Sequence, residues 1–312
     1  MDFGEVDTVT KLSKWSPEPS WRESAWTEHL NDVTVQGRRW KFIDIGSGPV
    51  VFLVHGLASS WSVWYRNILD LSIDHRVIAV DLPGFGCSEA LPAPVEIHHY
   101  ADALAELLDH VGVEKALAVG HSLGGLVVQR LAVRYPQKTS AVVLVSSGGG
   151  PIKFRKRAAF SGLAILSTVV SRGPRTLIVR TLRKTMSVTA LRNRLIAAVV
   201  HDPSCIAPDL AAEMIVSVWS LGTADAVRAG LKGATYSDLR RLGRPTLIIS
   251  GSSDRLVEST TAAYLARTIP GSVVEVWPGV GHHPMLERPR EFNDRLRDFY
   301  NQNTSRSKPV GL

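Results

Sequence analysis

The chain has 312 residues, 45% of them hydrophobic and 21% charged, which excludes a disordered chain, a collagen-like repeat and a coiled coil. Its two cysteines, Cys87 and Cys205, exclude a disulfide framework and a cysteine-rich zinc module. Net charge is +7, yet residues 151–200 hold eleven Lys and Arg and no acid, so the excess belongs to one segment and does not predict a nucleic-acid partner.

Met1–Asp7 is acidic and lacks the apolar core of a secretory signal. Residues 1–30 carry Trp15, Trp21 and Trp26 without a clear period and read as an N-terminal extension. The longest uncharged, mostly apolar run, Ala158–Ser171, is shorter than the ~20 residues a membrane span needs, so a soluble cytoplasmic protein is expected.

Val33–Gln36 and Trp40–Ile45 predict an opening hairpin with its turn at Gln36-Gly37-Arg38-Arg39. Short apolar runs follow at Val50–Val54, Val77–Val80, Ala116–Val119, Ala141–Val145, Thr246–Ile249 and Val273–Val276. Runs of that kind suit strands covered on both faces. Amphipathic helices are predicted over Ala101–Val111, Leu123–Arg134 and Arg290–Tyr300. The alternation implies an α/β fold with a mostly parallel sheet flanked by helices. It breaks from Pro151 to Asp238, where the pattern is helical. The expected organisation is a core of residues 31–150 and 239–300, a helical insert over 151–238 and a flexible tail over 301–312.

The motif Gly120-His121-Ser122-Leu123-Gly124-Gly125 follows a strand run and opens a helix, which is the context a G-x-S-x-G elbow requires. A strand turning directly into a helix strains the residue at the turn, so Gly120 and Gly124 leave room where side chains would collide. The turn exposes the Ser122 hydroxyl at a helix N-terminus. Such a hydroxyl needs a base, and the base an orienting acid. Thr246–Asp254 supplies an apolar strand, a small-residue turn and a carboxylate, Asp254, at the strand's C-terminal edge. The loop Val276–Pro284 offers two histidines: His282, beside the permissive Gly281, is the expected base, and His283, restrained by Pro284, is the alternative. His121 is expected to pack within the elbow, and His98 and His99 to lie at a helix start. An oxyanion hole needs two amides. Leu123 follows the serine, and Leu57 lies in the His55-Gly56-Leu57-Ala58 loop after an early strand.

These features, together with Trp61, Trp64 and Asp81-Leu82-Pro83-Gly84-Phe85-Gly86-Cys87-Ser88, stand in an order that resembles the α/β-hydrolase superfamily, in its cap-carrying serine branch. The resemblance covers roughly residues 33–300. It implies catalytic roles for Ser122, Asp254 and His282, oxyanion donors at Leu57 and Leu123, a cap at the insert, and neither metal nor organic cofactor. Epoxide hydrolases and haloalkane dehalogenases of this fold place a carboxylate where Ser122 stands, and the Gly-Gly-Gly oxyanion loop of some esterases is replaced by Gly-Leu-Ala-Ser.

The expected reaction is hydrolysis of a hydrophobic ester or lactone through an acyl-enzyme. A pocket lined by apolar residues of Ala158–Val170, Leu195–Val200, Trp219 and Leu221 is anticipated. The alternatives are a carbon–carbon hydrolase of a vinylogous diketone, with a carboxylate-binding pocket in the basic insert, and a ligand receptor that keeps the fold with little turnover. The basic insert also suits peripheral contact with an anionic membrane, or simply a solvated face. Oligomeric state leaves no mark on the sequence.

Overall fold

Gln36 and Gly37 both sit at positive φ, 51° and 69°, the conformation that joins two twisted strands through a two-residue turn. They connect β1 (Leu30–Val35) to β2 (Arg38–Ile45), which pair antiparallel in the computed structural model. Described are residues 24–151, 154–172, 181, 184, 185, 188–233 and 237–304; the readings on Trp15, Trp21, Lys153, Arg175, Arg180, Arg183 and the last eight residues lie outside them. The remaining strands are β3 (Val50–Val54), β4 (Arg76–Val80), β5 (Ala116–His121), β6 (Thr139–Val145), β7 (Thr246–Gly251) and β8 (Val273–Trp277). They form one eight-stranded sheet in the order β1-β2-β4-β3-β5-β6-β7-β8. Only the β1–β2 and β2–β4 pairings are antiparallel.

The helices of the core are α1 (Tyr65–Leu71), α2 (Ile97–His110) and α3 (Leu123–Arg134). Between β6 and β7 the described residues form α4 (Phe154–Arg172), α5 (Thr189–Ile196), α6 (Pro208–Ser217) and α7 (Thr223–Gly233). After β7 come α8 (Ser259–Thr268), the short α9 (Pro284–Glu287) and α10 (Pro289–Thr304). The first of the helices read from sequence starts four residues before Ala101. Glu96 takes its N-cap, with its side chain on the N3 backbone and the His99 side chain returned to the cap backbone.

Alternate residues along each central strand feed two apolar layers. Phe52, Ile78, Ala118 and Val142 face one side with Leu104, Leu107, Val127, Leu131 and Leu265 of α2, α3 and α8. Leu53, Ala79, Val119 and Val143 face the other with Ile68, Leu71, Phe292 and Phe299 of α1 and α10. Each of the Val, Leu, Ile and Phe side chains, taken fully out of water, contributes about 1.5–3 kcal/mol. The N-terminal extension joins this second layer through Trp26, which is buried with its ring centroid 5.2 Å from that of Trp61.

Because β3, β5, β6, β7 and β8 run in one direction, the loops after all five open on the same edge of the sheet, where ligands of such sheets bind. Those loops carry Leu57, Ser122, Gly148, Asp254 and His282.

Candidate active site

Ser122 joins β5 to α3 at φ 52° and ψ −113°, a region that costs a non-glycine residue about 1–3 kcal/mol. The turn is fixed from both sides. Its amide donates to Val145 O at 2.9 Å, and its carbonyl accepts from the Gly125 amide at 3.1 Å. A Cβ on Gly120 would lie 2.4 Å from Gly124 O, and one on Gly124 would lie 2.4 Å from both His55 O and Val54 O. The backbone of the elbow is therefore pressed against the start of its own helix and against the end of β3. That second contact sets the His55–Leu57 loop beside the first turn of α3. The Gly125 requirement, against the Ser147 hydroxyl, is one the motif spacing alone did not explain.

Asp254 and His282 meet. The ring Nδ1 of His282 donates to Asp254 Oδ2 at 2.7 Å, with both residues buried. The other oxygen, Oδ1, accepts from the amides of Leu256 at 2.8 Å and Val257 at 2.9 Å. A carboxylate only accepts, so the proton of a neutral His282 lies on Nδ1 and leaves Nε2 with its lone pair. Burial by itself pushes the Asp254 carboxyl up, but the His282 charge and these hydrogen bonds outweigh it and hold the group below the usual range.

The other histidines have different partners. His283 points its Nδ1 to Val199 O at 3.4 Å, and burial lowers its pKa to about 3. His121 Nε2 donates to the carbonyl of His282 at 2.9 Å, and burial followed by the two neighbouring rings keeps it well below the ordinary value. The residue just before Ser122 thus holds the backbone of His282, and packs in the elbow as its sequence position suggested. His55 accepts from the Leu82 amide at Nε2 (2.9 Å) and so donates from Nδ1 to Gly56 O (2.7 Å); burial lowers it to about 4.

Two carboxylates were not legible as site residues. Buried Asp81 accepts from the Trp61 amide at 2.8 Å and the Cys87 amide at 2.9 Å, tying the segment after Leu57 to the loop after β4. Desolvation pushes it up to about 6 against those two bonds. Glu287 gathers the amides of Gly281 (3.0 Å), His283 (3.3 Å) and His201 (2.8 Å). With the His282 amide donating to Val199 O at 2.8 Å, the histidine loop is clamped between α9 and the segment before α6. The Asp81-Leu82-Pro83-Gly84 motif was the available signal for the first; nothing in the local pattern marks the second.

A cavity of about 150 Å³ adjoins Ser122, Leu57 and Leu123. From the segment between β6 and β7 its wall takes Phe160, Ala226, Val227, Gly230 and Leu231. Phe160 falls within the anticipated Ala158–Val170 stretch, whereas Leu195–Val200, Trp219 and Leu221 do not border this cavity, which corrects that part of the anticipated lining. Leu195 and Leu221 are exposed, while Ile196 and Val200 pack into the core layer under the sheet. The described wall holds one ionisable side chain, Glu258.

The model of the alpha/beta hydrolase fold matches residues 49–289, and the chain belongs to that family. A 2-hydroxy-6-oxononadienedioate/2-hydroxy-6-oxononatrienedioate hydrolase of Paraburkholderia phymatum is 28% identical over 286 residues, 88% of this chain and 91% of that protein. A 2-hydroxy-6-oxo-6-phenylhexa-2,4-dienoate hydrolase of Burkholderia cepacia is 26% identical over 286 residues, 86% of this chain and 94% of that one. Among solved structures, a thermophilic esterase from Thermogutta terrifontis with malate bound superposes with a TM-score of 0.72 at 26% identity, over 88% of this chain and 98% of the esterase. The protein is a hydrolase of this fold.

Proposed function

We propose that the protein cleaves hydrophobic carboxylic esters or lactones by way of an acyl-enzyme. His282 Nε2 takes the Ser122 proton as Oγ attacks the carbonyl carbon, and then passes it to the departing alkoxide. Water, deprotonated by the same nitrogen, releases the acid and restores Ser122. Asp254 holds the ring in the required tautomer and stabilises the imidazolium. The amides of Leu57 and Leu123 hold the oxyanion, each such donor contributing about 3 kcal/mol to the transition state. The helices between β6 and β7 act as the cap, with α4 and α7 forming the apolar wall. The reading is carried by the buried 2.7 Å bond from His282 to Asp254 beside the strained Ser122 turn.

A carbon–carbon hydrolase is the second reading, supported by the names of the Paraburkholderia and Burkholderia relatives. The cavity favours the ester. A dienedioate carries two carboxylates, and the described wall offers Glu258 and no Lys or Arg. The test is release of p-nitrophenol from short and medium acyl esters beside turnover of a ring-fission diketone. Ester turnover and labelling of the enzyme by a fluorophosphonate are expected, both lost in Ser122→Ala. Diketone cleavage without ester cleavage would select the second reading. An absence of turnover and labelling would leave the receptor.

A further inference from the structure

We infer that the outward face of α4, together with the basic residues that flank its apolar run in sequence, docks on an anionic lipid bilayer. Fourteen consecutive residues of this helix, Ala158–Ser171, carry no charge. Phe160 lines the cavity and Ala164 is buried, so those positions turn inward. The opposite stripe is Ala158, Ala159, Gly162, Ile165 and Leu166, all exposed, with Ile165 at 66% and Leu166 at 51%. Spacings of three and four place them on one side of a helix. A helix in water ordinarily puts its polar residues there. Val188, Leu191 and Leu195, at and within α5, repeat the pattern at 54%, 37% and 42% exposure.

Charge selects the occupant. The run is preceded by Lys153, Arg155, Lys156 and Arg157 and followed by Arg172 and Arg175, while residues 151–200 contain no Asp or Glu. Exposed Arg194 lies between Leu191 and Leu195 in the second group. Two copies of this surface would bring two unbalanced cationic segments together. A bilayer with acidic headgroups supplies an apolar layer and the opposite charge at one boundary. Among the described residues no helix is long and apolar enough to cross a membrane, so the contact is made at the surface. Since Phe160 on the inner side of α4 borders the cavity, docking sets the cavity wall against the lipid phase.

Sedimentation with sucrose-loaded vesicles tests this, using phosphatidylcholine alone and phosphatidylcholine mixed with phosphatidylglycerol. The full chain should sediment with the mixed vesicles at low salt, be released at high salt, and stay in solution with the neutral ones. The double substitution Ile165→Ser, Leu166→Ser and the single Arg194→Glu should each weaken partitioning by about tenfold, with unchanged thermal midpoints because the sites are exposed. Ser122→Ala should bind as the parent does, so loss of the ester reading would leave docking untouched. No sedimentation at low salt, equal sedimentation with both vesicles, or a folded double variant that binds like the parent would overturn the inference. So would a dimer that the same double substitution dissolves, which would assign the face to a second copy.

Discussion

Gly124 has backbone on the side where a Cβ would stand: the carbonyls of Val54 and His55, each 2.4 Å away. Neither can yield by rotating a side chain. Gly124→Ala must therefore part α3 from the loop that carries Leu57, opening the distance between the two proposed oxyanion amides. We expect a loss of about 2–3 kcal/mol in stability, read from the denaturant midpoint, and a fall of about a hundredfold in kcat where the variant folds. Gly162 is the contrast, with nothing within 4 Å of its absent Cβ and a place on the exposed side of α4. Gly162→Ala should raise stability by about 0.4–1 kcal/mol by restricting the unfolded chain. A destabilised Gly162→Ala with an unaffected Gly124→Ala would contradict the packing described for the elbow. Of the candidate site, Ser122, Asp254 and His282 were legible because each type of residue sits at the end of a recognisable strand in the order the proposed chemistry would use. The choice of His282 over His283 rested on Gly281 and Pro284, and the bond to Asp254 falls on His282.

At the scale of elements, the strands were legible because their side chains are buried on both faces: the run Val50–Val54 reads as apolar without alternation and lies between two helical layers. His98 and His99 lie in the first turn of α2, as expected, but the apolar pattern alone begins it at Ala101, because its cap is Glu96 answered by His99 and neither residue leads the usual capping set. The cavity wall was legible only in part, through Phe160, for a different reason. Helix α4 is apolar on its inner and outer sides, so its composition cannot say which side faces the cavity, and Leu195–Val200 turned out to face the core or the solvent. Glu287 was invisible because its partners Gly281 and His201 are brought together only by the fold. Glu287→Ala would leave the three amides it now accepts without that acceptor. A loss of about 1–3 kcal/mol is expected from the unpaired donors, with kcat falling more than KM rises because the histidine loop loses its anchor. Glu287→Gln, which keeps one acceptor oxygen, should recover part of kcat; equal loss of kcat in both variants would indicate that charge, not loop position, is what Glu287 supplies.

For the molecule as a whole, the buried histidines decide how stability responds to acid. His55, His121 and His283 are held neutral in the fold, two of them with pKa values of about 4 and about 3. Below an unfolded pKa of about 6.5 the unfolded chain takes up protons that these rings refuse, so stability present above that pH is lost as pH falls toward 4. Asp81 acts the other way. Its folded pKa of about 6 exceeds the unfolded value, so it contributes stability that grows as pH falls from 6 to 4. Three imidazoles outweigh one carboxyl. Asp254, held below the usual carboxylate range, adds its own loss only under pH 4 or so. Urea midpoints should therefore decline from pH 7 to pH 5, with a deficit of about 2 kcal/mol or more at the lower value. A higher midpoint at pH 5 than at pH 7 would show that the rings are protonated in the folded protein.

The hydrogen bond from the His282 amide to Val199 O, with the His201 amide on Glu287, makes the segment between β6 and β7 a structural neighbour of the proposed base as well as a wall of the cavity. Exchanging that segment for one from a relative, to graft a new substrate range, would therefore remove a carbonyl that holds the imidazole's own backbone. A successful graft has to import an equivalent acceptor at the Val199 position, or end its splice before Val199 and keep the native stretch from there to β7.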